Sequence, residues 1–429
     1  MVRIGIIGGS GLESLNILQA MEEKEAITPY GRPSSTLKIG RIKGVEVVLL
    51  ARHGQQHTIP PSQVNFRANI FALKEAGCTH IIATTAVGSL REQIGRGDLV
   101  ILDQFIDFTG QRKFSFFEEF EPDQPKHTPM AEPFSAELRT ILLKGCEELN
   151  LRYHPTGTVV TIEGPRFSTK AESHMFRQWG ADVINMTIAT ECALANEAGI
   201  PYGAVAMSTD YDCWKEDEEP VSWEAVMKIF KTNAINVTNL LLSVIDKMQN
   251  KSDDKMIKEK IRTVPNWPKP GIMFRDITTL LKDAVGWQKT IDLLAERYKD
   301  FDFDLVVGIE SRGFILGSAL AYKLGKGFVP ARKKGKLPAE TVSQEYALEY
   351  GLDQVEIHQD AIKSGQKVLL ADDLIATGGT ALASCNLIKQ LGGEVVECCF
   401  VIDLPDLGGR QKLIANGYKV FNLVEFAGE

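Results

Sequence analysis

The sequence predicts an α/β protein built as two successive domains, and three observations carry that expectation. Both halves of the 429-residue chain alternate short apolar, strand-like runs with helical patterns, as expected of sheets covered by helices. A polar, charged stretch at 246–260 (DKMQNKSDDKMIKEK) separates them and reads as a linker, giving domains 1–250 and 251–429. Several of the apolar runs end in glycines and hydroxyl residues just before a helix start, where open α/β sheets place their ligands. No internal repeat relates the halves, so two unrelated domains are expected.

The composition narrows the function classes. Apolar residues at 44% and charged residues at 24% are ordinary for a globular protein. A formal charge of −8 offers no general attraction for nucleic acid or an anionic membrane, so phosphate binding would need locally concentrated basic side chains. The opening MVRIGIIGGSG has no signal-peptide pattern, and no apolar run approaches the roughly eighteen residues of a membrane span. Seven scattered cysteines fit reduced thiols, with Cys398 and Cys399 in a strand-like core run. The expectation is a cytoplasmic protein acting on small molecules.

In chain order, the first half opens with Ile4-Gly5-Ile6-Ile7-Gly8-Gly9-Ser10-Gly11. A dinucleotide fingerprint would need a further glycine where Ser14 stands, so the turn suits an inorganic anion better. In LLARHGQQHTIPP, His53 and His57 are four apart, like a metal pair. Gly54 and the following prolines argue against one helix, no third ligand is near, and no metal is expected. Arg52-His53-Gly54 reads instead as a second anion contact. IIATTAVGSLRE (81–92) repeats the theme of strand, paired threonines, glycine and helix start.

Three further runs, VTIEGPRFSTKAE (160–172), ADVINMTIATE (181–191) and AVAMSTDYDCWKE (204–216), complete the pattern. With LLARHGQQHTI and TTAVGSLRE, they make residues 1 to about 245 resemble the purine nucleoside phosphorylase family, in particular its trimeric 5′-methylthioadenosine phosphorylases. The resemblance implies that Ser10, Arg52, His53, Thr85, Ala86 and Thr187 bind phosphate and that Met186 contacts ribose. Phe167 and Ser168 would line the base, and Asp210 and Asp212 would recognise adenine. The chemistry agrees. Phosphorolysis breaks N9–C1′ with negative charge growing on the purine. An acid donating to N7 stabilises that leaving group, if burial or a neighbouring carboxylate keeps it protonated. Relatives acting on 6-oxopurines carry Asn at the Asp210 position, so Asp implies a 6-amino base. His127 matches a histidine donated across the trimer interface to the 5′ end of the nucleoside. Trp223 stands where animal enzymes have a small apolar residue, and the family's C-terminal segment is cut short, so the preferred 5′-substituent stays open.

The second half enters through IRTVPNWPKPGIMFRDI, whose X-Pro turns make a stiff, non-helical start. DLVVGIESRGF reads as strand, polar turn and helix, with Arg312 set to meet a pyrophosphate. ARKKGKLP then concentrates Arg332, Lys333, Lys334 and Lys336. The most informative stretch is VLLADDLIATGGTA (368–381). A strand from Val368 to Ala371 leads to Asp372 and Asp373, then to Ala376-Thr377-Gly378-Gly379-Thr380 at a helix start. Small residues there let backbone N–H groups converge on an oxyanion beside two acceptors suited to sugar hydroxyls.

These motifs, with LEYG, resemble the type I phosphoribosyltransferases, in particular the adenine phosphoribosyltransferases, across roughly 170 residues. The resemblance implies that Phe274 and Arg275 flank adenine. Ser311, Arg312, Arg332, Lys333 and Lys336 would hold pyrophosphate. Asp372 and Asp373 would hold ribose hydroxyls, and Ala376, Thr377, Gly378, Gly379 and Thr380 the 5′-phosphate. Glu349 and Tyr350 would sit on a closing hood, with Glu349 as proton acceptor. Mg²⁺ is expected on the oxygens of phosphoribosyl pyrophosphate (PRPP); the first domain needs no cofactor.

Together the resemblances imply a bifunctional purine-salvage enzyme. Its substrates would be methylthioadenosine, phosphate, adenine and PRPP. The alternative is a broader purine nucleoside phosphorylase fused to a PRPP-binding regulatory domain. Joining trimeric to dimeric relatives implies a trimer-based homo-oligomer, with a hexamer as one closed form.

Overall fold

The computed structural model describes residues 2–8, 18–215, 223–348 and 351–428. The chain divides into two compact units, Met1–Ser252 and Asp253–Glu429. Both consist of sheets packed with helices, the α/β architecture expected.

In the first unit the described residues form an eleven-stranded mixed sheet. Its centre comprises β1 (Arg3–Gly8), β2 (Val45–Ala51), β3 (His80–Ser89), β4 (Val183–Asn185) and β5 (Tyr202–Asp210). Strand β1 lies parallel between β2 and β3, with Gly8 opposite Ala51 and Ile7 opposite Ala83. Strand β5 is parallel to β3, and the pairing slips between Ser208 and Asp210, which brings Asp210 opposite Gly88. Such strands are buried on both faces, hence their continuous apolar runs. Ile7, Leu50, Ile81 and Ala204 pack on one face, Ile4, Ile6, Ile82 and Val205 on the other. The sheet thereby holds the carboxyl ends of β1, β2 and β5 beside the later residues of β3. Helix α1 (Ile188–Glu197) starts directly after β4.

The polar stretch 246–260 is helical throughout. It is the last part of a single helix, α2 (Trp223–Lys260), and the division between the units falls inside that helix. Met248, Asp253 and Ile257 are buried along it, while Lys247 and Lys251 pair with Glu148 and Glu137 of the helix Ala136–Glu148. The charged composition thus marks a solvated helix face.

The second unit opens with a hairpin of β6 (Arg262–Pro265) and β7 (Met273–Asp276). Its seven-stranded sheet centres on β8 (Leu305–Ile309), β9 (Lys367–Ile375) and β10 (Glu394–Asp403), parallel to one another. Helix α3 (Arg312–Leu324) follows β8, and α4 (Gly379–Gln390) follows the turn after β9. Val368–Ala371 is buried strand, but β9 runs on to Ile375 because its pairing with β10 continues to Asp403. Asp372 and Asp373 therefore lie within the strand, not beyond its end. Gly313 lets α3 pack against them: a Cβ there would meet the Ala371 carbonyl at 2.7 Å and Asp372 Oδ1 at 2.8 Å.

Candidate active sites

The carboxyl ends of the first unit's central strands, with α1, enclose a cavity of about 460 Å³. Arg52, His53, Thr85, Ala86, Phe167, Ser168, Met186, Thr187, Asp210 and Asp212 all line it. Residues separated by up to 160 positions thus meet in one space. Ser10 lies outside the described residues, and Trp223 opens α2 with a side chain outside them. His127 does not line the cavity of its own chain; it is exposed, with its ring 5.7 Å from that of Phe120.

One side of this cavity suits an anion. The guanidinium of Arg52, only 1% exposed, donates through Nε and Nη2 (2.9 Å) to the two oxygens of Glu191. Its Nη1 donates to the Thr84 carbonyl at 2.9 Å, and Tyr202 Oη donates to Glu191 Oε2 at 2.8 Å. Burial works against the charge on Arg52, but the Glu191 carboxylate outweighs it and keeps the guanidinium firmly protonated. Thr187 stands at the N-cap position of α1 with no capping hydrogen bond from its side chain, and the helix's amino end adds a favourable dipole. Asn185 Nδ2 donates to Thr85 Oγ1 at 3.3 Å. His53 Nδ1 meets the Ile59 carbonyl at 2.9 Å, so Nδ1 carries the hydrogen and Nε2 remains for a ligand. Burial and the Arg52 charge lower the His53 pKa to about 4, leaving the ring neutral at pH 7.

The other side suits a purine. The Asp210 carboxyl is pushed up from its ordinary value, chiefly by burial. The Thr209 hydroxyl (2.8 Å) and the Asp212 amide (2.8 Å) oppose the rise, and the Asp212 charge adds to it. Asp212 adopts a left-handed backbone, φ 49°, at the turn that aims its amide at Asp210. Ser168 Oγ lies within 2.8 Å of both Asp212 oxygens. The result is an acid inclined to keep its proton beside a carboxylate held by a hydroxyl.

In the second unit, Arg312 at the start of α3 pairs with Asp373 in β9. Asp373 N donates to Asp372 Oδ1 at 2.9 Å, and burial with the Asp373 charge pushes the Asp372 carboxyl well up. The turn Ala376–Gly378 leads into α4, with Gly378 left-handed at φ 72° and Gly379 and Thr380 in the first helical turn. Ala376 O accepts from Gly409 N at 2.9 Å, which fixes the turn from behind. Ser311 caps α3. Glu310 Oε2 accepts from Lys333 N at 2.9 Å and Arg332 Nε at 3.3 Å, and Glu356 Oε1 accepts from Lys336 N at 3.1 Å. Lys333 Nζ lies 3.1 Å from Asp353. The basic loop is thus anchored by carboxylates behind it. Glu349 and Tyr350 lie outside the described residues.

Phe274 lines a recess of about 360 Å³ together with Val264, Trp267, Asp276, Ile277, Thr278 and Arg312. Its ring meets that of Trp267 edge to face, centroids 4.4 Å apart. Arg275 corrects the expectation of a flanking pair: it does not line this recess. Neighbouring strand positions face opposite sides, and its guanidinium goes to Thr263 Oγ1 (2.5 Å), to the Ala427 carbonyl and over the Phe426 ring at 4.5 Å. Glu191, Tyr202 and Trp267 were not singled out from sequence. The acid in the run NMTIATE, one turn after Thr187 in an otherwise apolar helix start, was the available signal for the first.

Residues 3–246 match the phosphorylase superfamily and residues 278–426 the phosphoribosyl transferase domain. The S-methyl-5′-thioadenosine phosphorylase of Danio rerio is 56% identical over 247 residues, covering 57% of this chain and 88% of its own. That of Aedes aegypti is 51% identical over 265 residues, covering 61% and 95%. Among solved structures, methylthioadenosine phosphorylase from Schistosoma mansoni in complex with adenine matches with a TM-score of 0.55 and 41% identity. That match covers 58% of this chain and 92% of the other.

Proposed function

The chain belongs to the phosphorylase superfamily, and we propose that its first unit cleaves 5′-methylthioadenosine with phosphate to adenine and 5-methylthioribose 1-phosphate. The observation that carries this reading is Asp210, its carboxyl pushed up by burial, beside the Ser168-held Asp212, across one cavity from Arg52, Thr85 and Thr187. Phosphate attacks C1′ as the N9–C1′ bond breaks, and Asp210 hydrogen-bonds purine N7 as charge grows there. His53, Ala86 and Ser10 complete the phosphate contacts. Met186 packs on ribose and Phe167 on the base, while His127 and Trp223 bear on the 5′ substituent. Phosphate-dependent release of adenine from methylthioadenosine, with inosine inert, supports this; efficient cleavage of inosine removes the argument from Asp210.

The second unit, in this proposal, transfers phosphoribosyl from PRPP to that adenine, giving AMP and pyrophosphate. Support comes from an aromatic recess at Phe274 and Trp267 that shares Arg312 with the Asp372–Asp373 pair, and from the glycine turn Ala376–Gly379 with Thr377 and Thr380. Asp372 and Asp373 take ribose hydroxyls and the turn takes the 5′-phosphate. Arg312, Ser311, Arg332, Lys333 and Lys336 take pyrophosphate, with Arg312 exchanging Asp373 for the substrate. Glu349 accepts the N9 proton, and Tyr350 serves PRPP. Mg²⁺ held on the oxygens of PRPP would supply neutralisation of its phosphate charge. Conversion of added adenine to AMP, with hypoxanthine and guanine left unused, tests this half alone.

A further inference from the structure

Resting on the phosphorolytic reading of the first unit, we infer that Glu191 and Tyr202 are positioning residues that set the Arg52 guanidinium for phosphate. Neither lines the cavity, whereas Arg52 does. Both are essentially excluded from solvent, so their polar groups are there to serve one another. Glu191 gives one oxygen to Arg52 Nε and the other to Arg52 Nη2 and Tyr202 Oη together. The Thr84 carbonyl takes Arg52 Nη1. Helix α1 and strands β3 and β5 thus all fix one guanidinium plane, through residues 139 and 11 positions from Glu191 and 32 from Arg52.

A guanidinium has about five N–H donors, of which these anchors take three, leaving one on each terminal nitrogen. Two such donors in one plane are the fork that a phosphate accepts. The arrangement is built before the anion arrives. Glu191 also offsets the Arg52 charge, which would otherwise stand unpaired in the interior. It sits one turn beyond Thr187, so the same short helix carries a proposed phosphate contact at its cap and the anchor of another in its first turn.

The test uses the full-length chain, with phosphate and methylthioadenosine varied separately in wild type, Glu191→Gln and Tyr202→Phe. Wild type with no phosphate-dependent adenine release would overturn the underlying reading. With wild type active, Glu191→Gln should raise KM for phosphate at least about tenfold and leave KM for the nucleoside within about twofold. Tyr202→Phe should move phosphate KM the same way by a smaller factor. An unchanged or lowered phosphate KM overturns the inference, as does an equal effect on both substrates with a lower Tm, since that marks a purely structural pair. If Glu191→Gln does not fold, Tyr202→Phe decides by the same split, because it leaves the ion pair in place.

Discussion

At the scale of single residues, the proposed chemistry turns on Asp210 keeping a proton that an ordinary aspartate gives up. Burial is the main cause, so the rise follows from the fold and not from one partner. Asp210→Asn should lower kcat/KM for methylthioadenosine by at least about 100-fold, the usual worth of a positioned acid, without lowering Tm. The sign of the pH dependence follows from the raised value: activity that needs the protonated acid holds at low pH and falls as pH rises through it. A pH–rate profile of kcat/KM checks this, and Asp210→Asn should lose that limb. How much could be read from sequence differs by residue. Asp210, Thr85 and Thr187 sit in local runs whose meaning is carried by neighbours. Glu191 does not, because its pairing with Arg52 spans 139 positions and appears only when the sheet closes. The resemblance put Arg275 with Phe274 at the base, but neighbouring strand positions face opposite sides, and only Phe274 lines the recess.

At the scale of elements, both units use the carboxyl ends of parallel strands and the helix starts that follow them. This was legible, because a run such as VLLADDLIATGGTA carries strand, turn and helix start within fourteen residues. The β6–β7 hairpin shows what local pattern left out: it brings Trp267 to Phe274 and Asp276 to the recess. The Asp276 carboxyl is lowered to about 2, first by the Thr278 hydroxyl and also by Arg262. A depressed folded value below an unfolded one of about 3.9 contributes stability above that value, lost as pH falls from about 4 towards 2. Acid unfolding of the second unit should be steep in that window in wild type and shallower in Asp276→Asn, measured by circular dichroism. The same variant should raise KM for adenine in AMP formation, because Asp276 and the Thr278 it holds both line the recess. The long helix α2 was not legible for a related reason. Its charges suggested a linker, while the buried Met248 and Ile257 that keep it helical are too few to show through the polar face.

At the scale of the whole molecule, the proposal makes adenine the product of one unit's reaction and the substrate of the other's. Phosphorolysis is reversible, so in this proposal removal of adenine would draw the first reaction forward by mass action alone. Each unit has its own core and its own sheet. Asp210→Asn should therefore slow adenine release by at least about 100-fold while leaving conversion of added adenine to AMP within about twofold of wild type. Thr380→Ala should do the reverse, raising KM for PRPP at least about tenfold through the lost phosphate contact. Purified protein given methylthioadenosine, phosphate, PRPP and Mg²⁺, with adenine and AMP resolved by chromatography, tests the central claim most directly. AMP that forms only when both phosphate and PRPP are present is the result predicted. Adenine accumulating without AMP, or AMP formed without phosphate, would contradict it.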